Sequence, residues 1–195
     1  IMNFSLESIS IESYADIQNQ IPVSESVLSD ENFFVWGGSV VEGDDGRYHM
    51  FYSIFDAGEG LPKFSDAWLL SSKIAYASSD YPDRGFKFEK IILKGALADG
   101  DPDAWDAQGV HNPHIKKFKN KYYLYYIGGH DPGERAEGDP GANLNKRNRI
   151  QQVQAVAVIE VEDLEDLIEG NFNRPKAPLL TARTRVKPDN VIDPS

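Results

Sequence analysis

The sequence predicts an all-β fold made of β-propeller blades, each a four-stranded antiparallel sheet. A strand, a tight turn and a second strand occur twice, so that Ser39 and Tyr48 recur 74 positions later as Pro113 and Tyr122. Two further strand-like stretches follow each hairpin, and this spacing of short strands is typical of propeller blades. The alternative is a β-sandwich in which the two hairpins are similar by accident.

The first unit is predicted at residues 33–94, after a polar lead-in at 1–32. Apolar and aromatic residues follow one another in its first strand, as expected of a strand buried on both faces. Asp44-Asp45-Gly46 forms the hairpin turn, with glycine where a positive φ is needed. Gly58, Gly60 and Pro62 predict a loop at 56–66. The strands are predicted at 33–41, 48–54, 69–78 and 86–93.

The second unit is predicted at 107–181 and repeats this plan with longer insertions. The glycine- and proline-containing loop at 128–148 is too long for a simple connection, which favours a functional role. An acidic stretch at 162–169 is predicted to form one helical turn. Strands are predicted at 111–118, 121–127, 150–161 and 177–180, and a third unit begins at 190–195.

Composition narrows the classes of partner. The 195 residues carry a net charge of −11, which disfavours nucleic acid and anionic membranes, and no apolar run is long enough to span a bilayer. Without cysteine there is no thiolate metal site, and we expect no metal and no cofactor. The location is periplasmic or extracellular if a signal peptide has been removed, and otherwise cytoplasmic.

Three motifs resemble the five-bladed propeller glycosidases, which include the arabinanase and β-xylosidase type, the invertase type and a poorly characterised bacterial group. The motifs are most similar to this bacterial group. These motifs are Trp36-Gly37-Gly38-Ser39, His111-Asn112-Pro113-His114-Ile115 and Asp193-Pro194-Ser195. The resemblance spans 33–195 but covers only two blades and the start of a third. It implies a central funnel that binds carbohydrate, with the active-site carboxylates at the starts of the innermost strands.

Aligning the hairpins places Gly38, Asn112 and Asp193 in one equivalent position. Glycoside hydrolysis generally requires two carboxylic groups beside the scissile bond, and only Asp193 supplies one at this position. The glycine in the first blade departs from the pattern of the family. His111 is a further candidate because the pKa of histidine lies near neutrality. Asp106 is the third candidate, because it lies in the loop just before the strand that begins at His111. The predicted catalytic residues are therefore Asp193, His111 and Asp106.

Structural roles are the alternative for each of these residues. An aspartate before proline often caps a turn, and a histidine near a strand end is often simply hydrogen-bonded. Indole rings stack well on sugars but also pack in cores, and a loop arginine is often only solvated. The predicted substrate-binding residues are Trp36, Ser39, Asn112, Trp105 and Arg149.

The predicted function is that of a glycoside hydrolase-like protein acting on an oligosaccharide or polysaccharide in a propeller funnel. A carbohydrate-binding propeller fragment without catalysis is the alternative, which the glycine at position 38 favours. Two blades cannot close a ring, and open blade edges promote association. We therefore expect the remainder of the propeller, or another copy of the chain, to complete the ring.

Overall fold

The computed structural model describes residues 28–57 and 64–182, and it contains two four-stranded antiparallel sheets with strands in sequential order. The predicted architecture of two blade-like sheets is confirmed. The first sheet comprises β1 (Phe33–Glu42), β2 (Tyr48–Asp56), β3 (Lys73–Ser79) and β4 (Lys87–Leu93). The second comprises β5 (Val110–Phe118), β6 (Lys121–Gly128), β7 (Ala155–Val161) and β8 (Leu180–Thr181). Asp193 and the predicted start of the third unit lie outside the described residues.

Three short α-helices complete the fold: α1 (Phe64–Ser71), α2 (Lys146–Gln151) and α3 (Leu164–Glu169). The predicted helical turn corresponds to α3. Helix α1 corrects the prediction of a loop followed by a strand from Leu69. Two of its own residues, Ala67 and Leu69, are buried, and these tertiary contacts stabilise the helix. Helix α2 likewise replaces the start of the strand predicted from Ile150, and Asn145 caps it by accepting a hydrogen bond from the Asn148 amide. Within the described part of the chain, none of the helices has the length and apolar character needed to cross a membrane.

The main hydrophobic core lies between the two sheets. One face of the first sheet contributes Phe51, Ile74 and Tyr76, and the facing side of the second contributes Leu124 and Tyr126. All five side chains are almost completely buried. Burial of a large apolar side chain stabilises a fold by about 1.5–3 kcal/mol, so this interface determines how the sheets are arranged.

Each sheet contains a β-bulge in its first strand. In β1, Trp36 pairs with Ser53 and Ser39 with Phe51. In β5, His111 pairs with Ile127 and His114 with Tyr125, so two residues of each first strand face a single partner residue. In both bulges the first of the two residues has a left-handed backbone conformation, which glycine and asparagine adopt most readily.

The bulges correct the predicted repeat register by one residue. Gly37 and Asn112 have φ values of 55° and 50°, which identifies them as equivalent positions. Asn112 therefore matches Gly37 rather than Gly38, and His111 matches Trp36. The first hairpin turn is one residue longer than the second, which explains the shift. In either register, the first sheet has glycine at the position where the family resemblance implies a carboxylate.

Serine side chains of β1 and β2 connect the first sheet to β5 of the second. The Asn112 amide donates a hydrogen bond to Ser53 Oγ at 2.8 Å, and the Ile115 amide donates to Ser39 Oγ at 3.1 Å. Ser53 is fully buried. Backbone amides that face away from the β5–β6 ladder thus obtain partners from the neighbouring sheet, as buried amides require.

Replacing Ser53 with alanine is expected to destabilise the protein by about 1–3 kcal/mol, because the Asn112 amide loses its acceptor in a buried site. Ser71→Ala is the control, since that hydroxyl only donates to the Ala67 carbonyl within α1. Chemical denaturation of both variants measures the difference. Equal free energies of unfolding for the two variants would contradict this role of Ser53.

Candidate functional site

The two bulges lie side by side and form one exposed surface. A Cβ atom on Gly37 would lie 3.9 Å from the Asn112 Cα atom, so the backbones of the two sheets are close at this point. Gly37, Gly38 and Asn112 are all exposed. We call this region the bulge surface.

Three aromatic side chains surround the bulge surface. The His111 ring stacks on the Trp36 indole with centroids 5.4 Å apart and planes inclined by 30°. Trp68, from α1, meets both rings edge-on, at 5.8 Å from Trp36 and 5.4 Å from His111. The two indoles are half-buried, whereas His111 is only 2% exposed. Sequence reasoning missed Trp68 because it did not predict α1.

His111 is held in one tautomer. Its Nδ1 lies 2.8 Å from Asn112 Oδ1, and because an amide oxygen can only accept, Nδ1 carries the hydrogen. Burial lowers the pKa of His111 below its ordinary value of 6.5, although the hydrogen bond to Asn112 acts in the opposite direction. The imidazole is therefore neutral at pH 7, and its Nε2 can accept a hydrogen bond or a proton.

Trp36 also carries a buried donor. Its indole Nε1 is inaccessible to solvent and has no hydrogen-bond partner among the described residues. The same is true of Arg147 Nε. The Arg147 guanidinium lies 5.9 Å from the centre of the Trp68 ring. Arg147 belongs to α2 and therefore brings that helix against α1 beside the aromatic cluster.

Trp105 and Asp106 form a second group around Tyr126. Asp106 is 1% exposed and accepts hydrogen bonds from the Tyr126 hydroxyl at 2.8 Å and from Arg174 Nε at 3.1 Å. Burial is the main cause that raises the pKa of Tyr126, with the Asp106 carboxylate adding to it. Trp105 packs on Tyr126 with ring centroids 5.6 Å apart. These contacts place Asp106 in a buried ion pair.

Arg149, in α2, forms a third group with residues of the long loop that precedes this helix. Its Nε and Nη2 atoms donate to the two carboxylate oxygens of Asp131, both at 2.8 Å, and Nη1 donates to the Leu144 carbonyl. The guanidinium lowers the pKa of Asp131. This bidentate pair fixes the loop that connects β6 to α2.

Trp36, His111 and Asn112 are thus the predicted site residues that the fold brings together. Ser39 lies on the same strand as Trp36, with its hydroxyl accepting from the Ile115 amide. Across residues 28–57 and 64–182, no group of three or more histidine, cysteine or acidic side chains is arranged to hold a metal ion. The catalytic and binding roles of all these residues stay predictions.

No model of a known protein family matches the chain. A β-1,2-mannobiose phosphorylase from Thermoanaerobacter sp. (strain X514) is 29% identical over 109 residues, which are 55% of this chain and 33% of the phosphorylase. The match thus covers about a third of the length of that relative.

Solved structures similar to this chain are glycoside hydrolases. A GH43 β-xylosidase/α-arabinofuranosidase from a compost metagenome has a TM-score of 0.49 at 14% identity, covering 79% of this chain and 38% of that one. A family 117 glycoside hydrolase from Zobellia galactanivorans has a TM-score of 0.46 at 18% identity, covering 78% and 39% respectively.

The lowered pKa of His111 predicts a contribution to acid sensitivity. As the pH falls, His111 takes up a proton in the unfolded chain before it does so in the folded protein. The free energy of unfolding is therefore unaffected by His111 above about pH 6.5, and it decreases as the pH falls from there towards the pKa of the folded state. His111→Phe, which keeps a stacking ring, is expected to lose less stability between pH 8 and pH 5 than the wild type. Denaturant titrations at both pH values measure this loss.

His114→Phe is the matched control, because His114 is exposed two residues beyond Asn112. It should retain the wild-type dependence on pH. An acid loss in His111→Phe as large as that of the wild type would show that the buried imidazole does not contribute.

Proposed function

We propose that the protein binds a neutral oligosaccharide at the bulge surface and cleaves a glycosidic bond there. The observation that carries the proposal is the neutral His111 imidazole between two indoles, beside the exposed Gly37 and Asn112. The apolar face of a sugar ring packs on aromatic side chains, while its hydroxyl groups need donors and acceptors at the rim. His111 Nε2 is an acceptor buried next to this surface, and the exposed Asn112 side-chain amide offers donors at its rim.

Charge and relatives support a neutral carbohydrate. A net charge of −11 disfavours anionic ligands in general. The relative from Thermoanaerobacter is a phosphorylase of β-1,2-mannobiose, and the name of the GH43 neighbour gives β-xylosidase and α-arabinofuranosidase activities. These names supply the sugars with which the proposal should first be tested.

The proposed chemistry assigns two groups to the reaction. Cleavage of a glycosidic bond needs an acid that protonates the leaving oxygen and a base that assists the nucleophile. In our proposal His111 Nε2 takes the proton of the nucleophile as its oxygen bonds to the anomeric carbon, and the bond to the leaving oxygen breaks. Asp193 donates a proton to that oxygen. The contacts of Asp106 with Arg174 and Tyr126 favour a positioning role for this third predicted residue.

Phosphate is the second candidate nucleophile. The phosphorylase relative favours phosphorolysis, in which an oxygen of inorganic phosphate, rather than water, attacks the anomeric carbon. Binding without catalysis is the remaining alternative, which the glycine and asparagine at the bulges favour.

Incubating the protein with β-1,2-mannobiose and with xylotriose, in the presence and absence of inorganic phosphate, distinguishes these functions. We expect release of free sugar in both conditions for a hydrolase and a sugar 1-phosphate only with phosphate for a phosphorylase. Binding without product, measured by calorimetry, would leave only the non-catalytic function. Neither binding nor product with any of a wider panel of oligosaccharides would refute the proposal.

Asn112→Gly tests the role of the bulge in orienting His111. Glycine keeps the left-handed backbone at this position, so the fold should be retained, but the imidazole loses its Nδ1 partner. We expect turnover to fall by about tenfold, corresponding to about 1.4 kcal/mol, in a protein that remains folded. His111→Ala should abolish turnover, and His114→Ala should leave it unchanged. Unchanged turnover in both Asn112→Gly and His111→Ala would contradict the assigned role of His111.

A further inference from the structure

A cavity of about 210 Å³ opens at one end of the second sheet, beside β7 and β8. Its walls come from Trp105, His130, the turn after α2, and the end of β8. The lining is largely apolar, with polar groups at His130 and Gln152 and apolar walls at Val153 and Pro178. A concave, largely apolar site with a few polar groups is the usual form of a small-molecule site.

The Trp105 indole is fixed as one wall of this cavity. Its Nε1 donates to the Pro175 carbonyl at 2.9 Å, and its ring packs on Tyr126. Gly128 is needed beneath it, because a Cβ atom there would approach the indole to 3.0 Å. A ligand that stacks on this ring would not need to order it first, which favours binding.

The polar groups of the cavity are suited to hydroxyl groups. His130 Nδ1 lies 3.2 Å from the Trp105 carbonyl, to which it can only donate. When the ring is neutral, Nε2 is therefore an acceptor. The Gln152 amide is exposed and offers both a donor and an acceptor. An aromatic wall with hydrogen-bonding groups at its edge matches a pyranose ring, which has C–H faces and a rim of hydroxyl groups.

The cavity and the bulge surface lie at the same end of the second sheet. Val110 pairs with Gly128, Gly128 with Ala155, and Ala155 with Thr181, so these residues form one row across the sheet. His111 follows Val110 at one end of the row, and Ala155 and Thr181 line the cavity at the other. Neighbouring strands are about 4.8 Å apart, so the two sites are about 10–14 Å apart across two or three strands.

We infer that this cavity is an outer subsite for a sugar residue of the oligosaccharide whose scissile bond lies at the bulge surface. This inference rests on the proposed function and deepens it. Trp105 would then contact the outer end of the bound oligosaccharide and not the sugar in the central funnel. Short substrates would fill the bulge surface alone, and longer ones would also contact Trp105.

Val153→Trp, which fills the cavity, tests the inference. Using whichever sugar series the protein binds, we expect the affinity for a disaccharide to be unchanged. The affinity for a tetrasaccharide or longer chain should fall by about tenfold, the size of a lost aromatic contact with its hydrogen bonds. Glu162→Trp is the control, since it introduces the same side chain at an exposed position beyond the opposite end of β7. Calorimetric titrations with chains of increasing length provide the measurement.

Gln152→Ala is the second variant and keeps the test decisive if the larger side chain at position 153 disturbs the fold. It should weaken binding of the long chain by a smaller factor, again without effect on the disaccharide. Equal affinities of wild type and both variants for long chains would overturn the outer subsite and leave the proposed function intact. If the wild-type protein binds no oligosaccharide of any length, the proposed function fails and the subsite fails with it.

Discussion

The arrangement of the site depends on two hydrogen bonds between the sheets, from the amides of Asn112 and Ile115 to the hydroxyls of Ser53 and Ser39. Hydrogen bonds within each sheet cannot connect one sheet to the next, so these side chains hold β5 against β1 and β2. The two bulges are therefore adjacent, and the His111 ring lies on the Trp36 indole. The neutral state of His111 follows from its burial there.

The same repeat explains the contrast between the two sheets. Phe51, Ser53, Ile74 and Tyr76 of the first sheet are buried against the second. At the equivalent positions the second sheet has Tyr125, Ile127, Val156 and Val158, which are only half-buried. These residues are mostly apolar. The second sheet therefore has, on its side away from the first sheet, a face as apolar as the face of the first sheet that it covers. This is the relation between successive blades that the repeat predicted.

The sequence was sufficient for the hairpins, whose apolar strands and short turns are local signals, and for the residues around the bulges. It was insufficient for the register, because a longer first turn hides a shift of one residue. Aligning Gly37 with Asn112, two residues suited to positive φ, would have corrected it. Helix α1 was missed because its burial depends on contacts with the sheets, and Trp68 was missed with it. The partners of Asp106 and Arg149 depend on distant residues that no local pattern reveals.

A crystal structure of the protein with a bound oligosaccharide would show whether the bulge surface holds the sugar at the scissile bond. We expect a sugar ring against Trp36 or Trp68, with one of its hydroxyl groups within hydrogen-bonding distance of His111 Nε2. A fully occupied oligosaccharide bound elsewhere, with the bulge surface empty, would contradict this expectation.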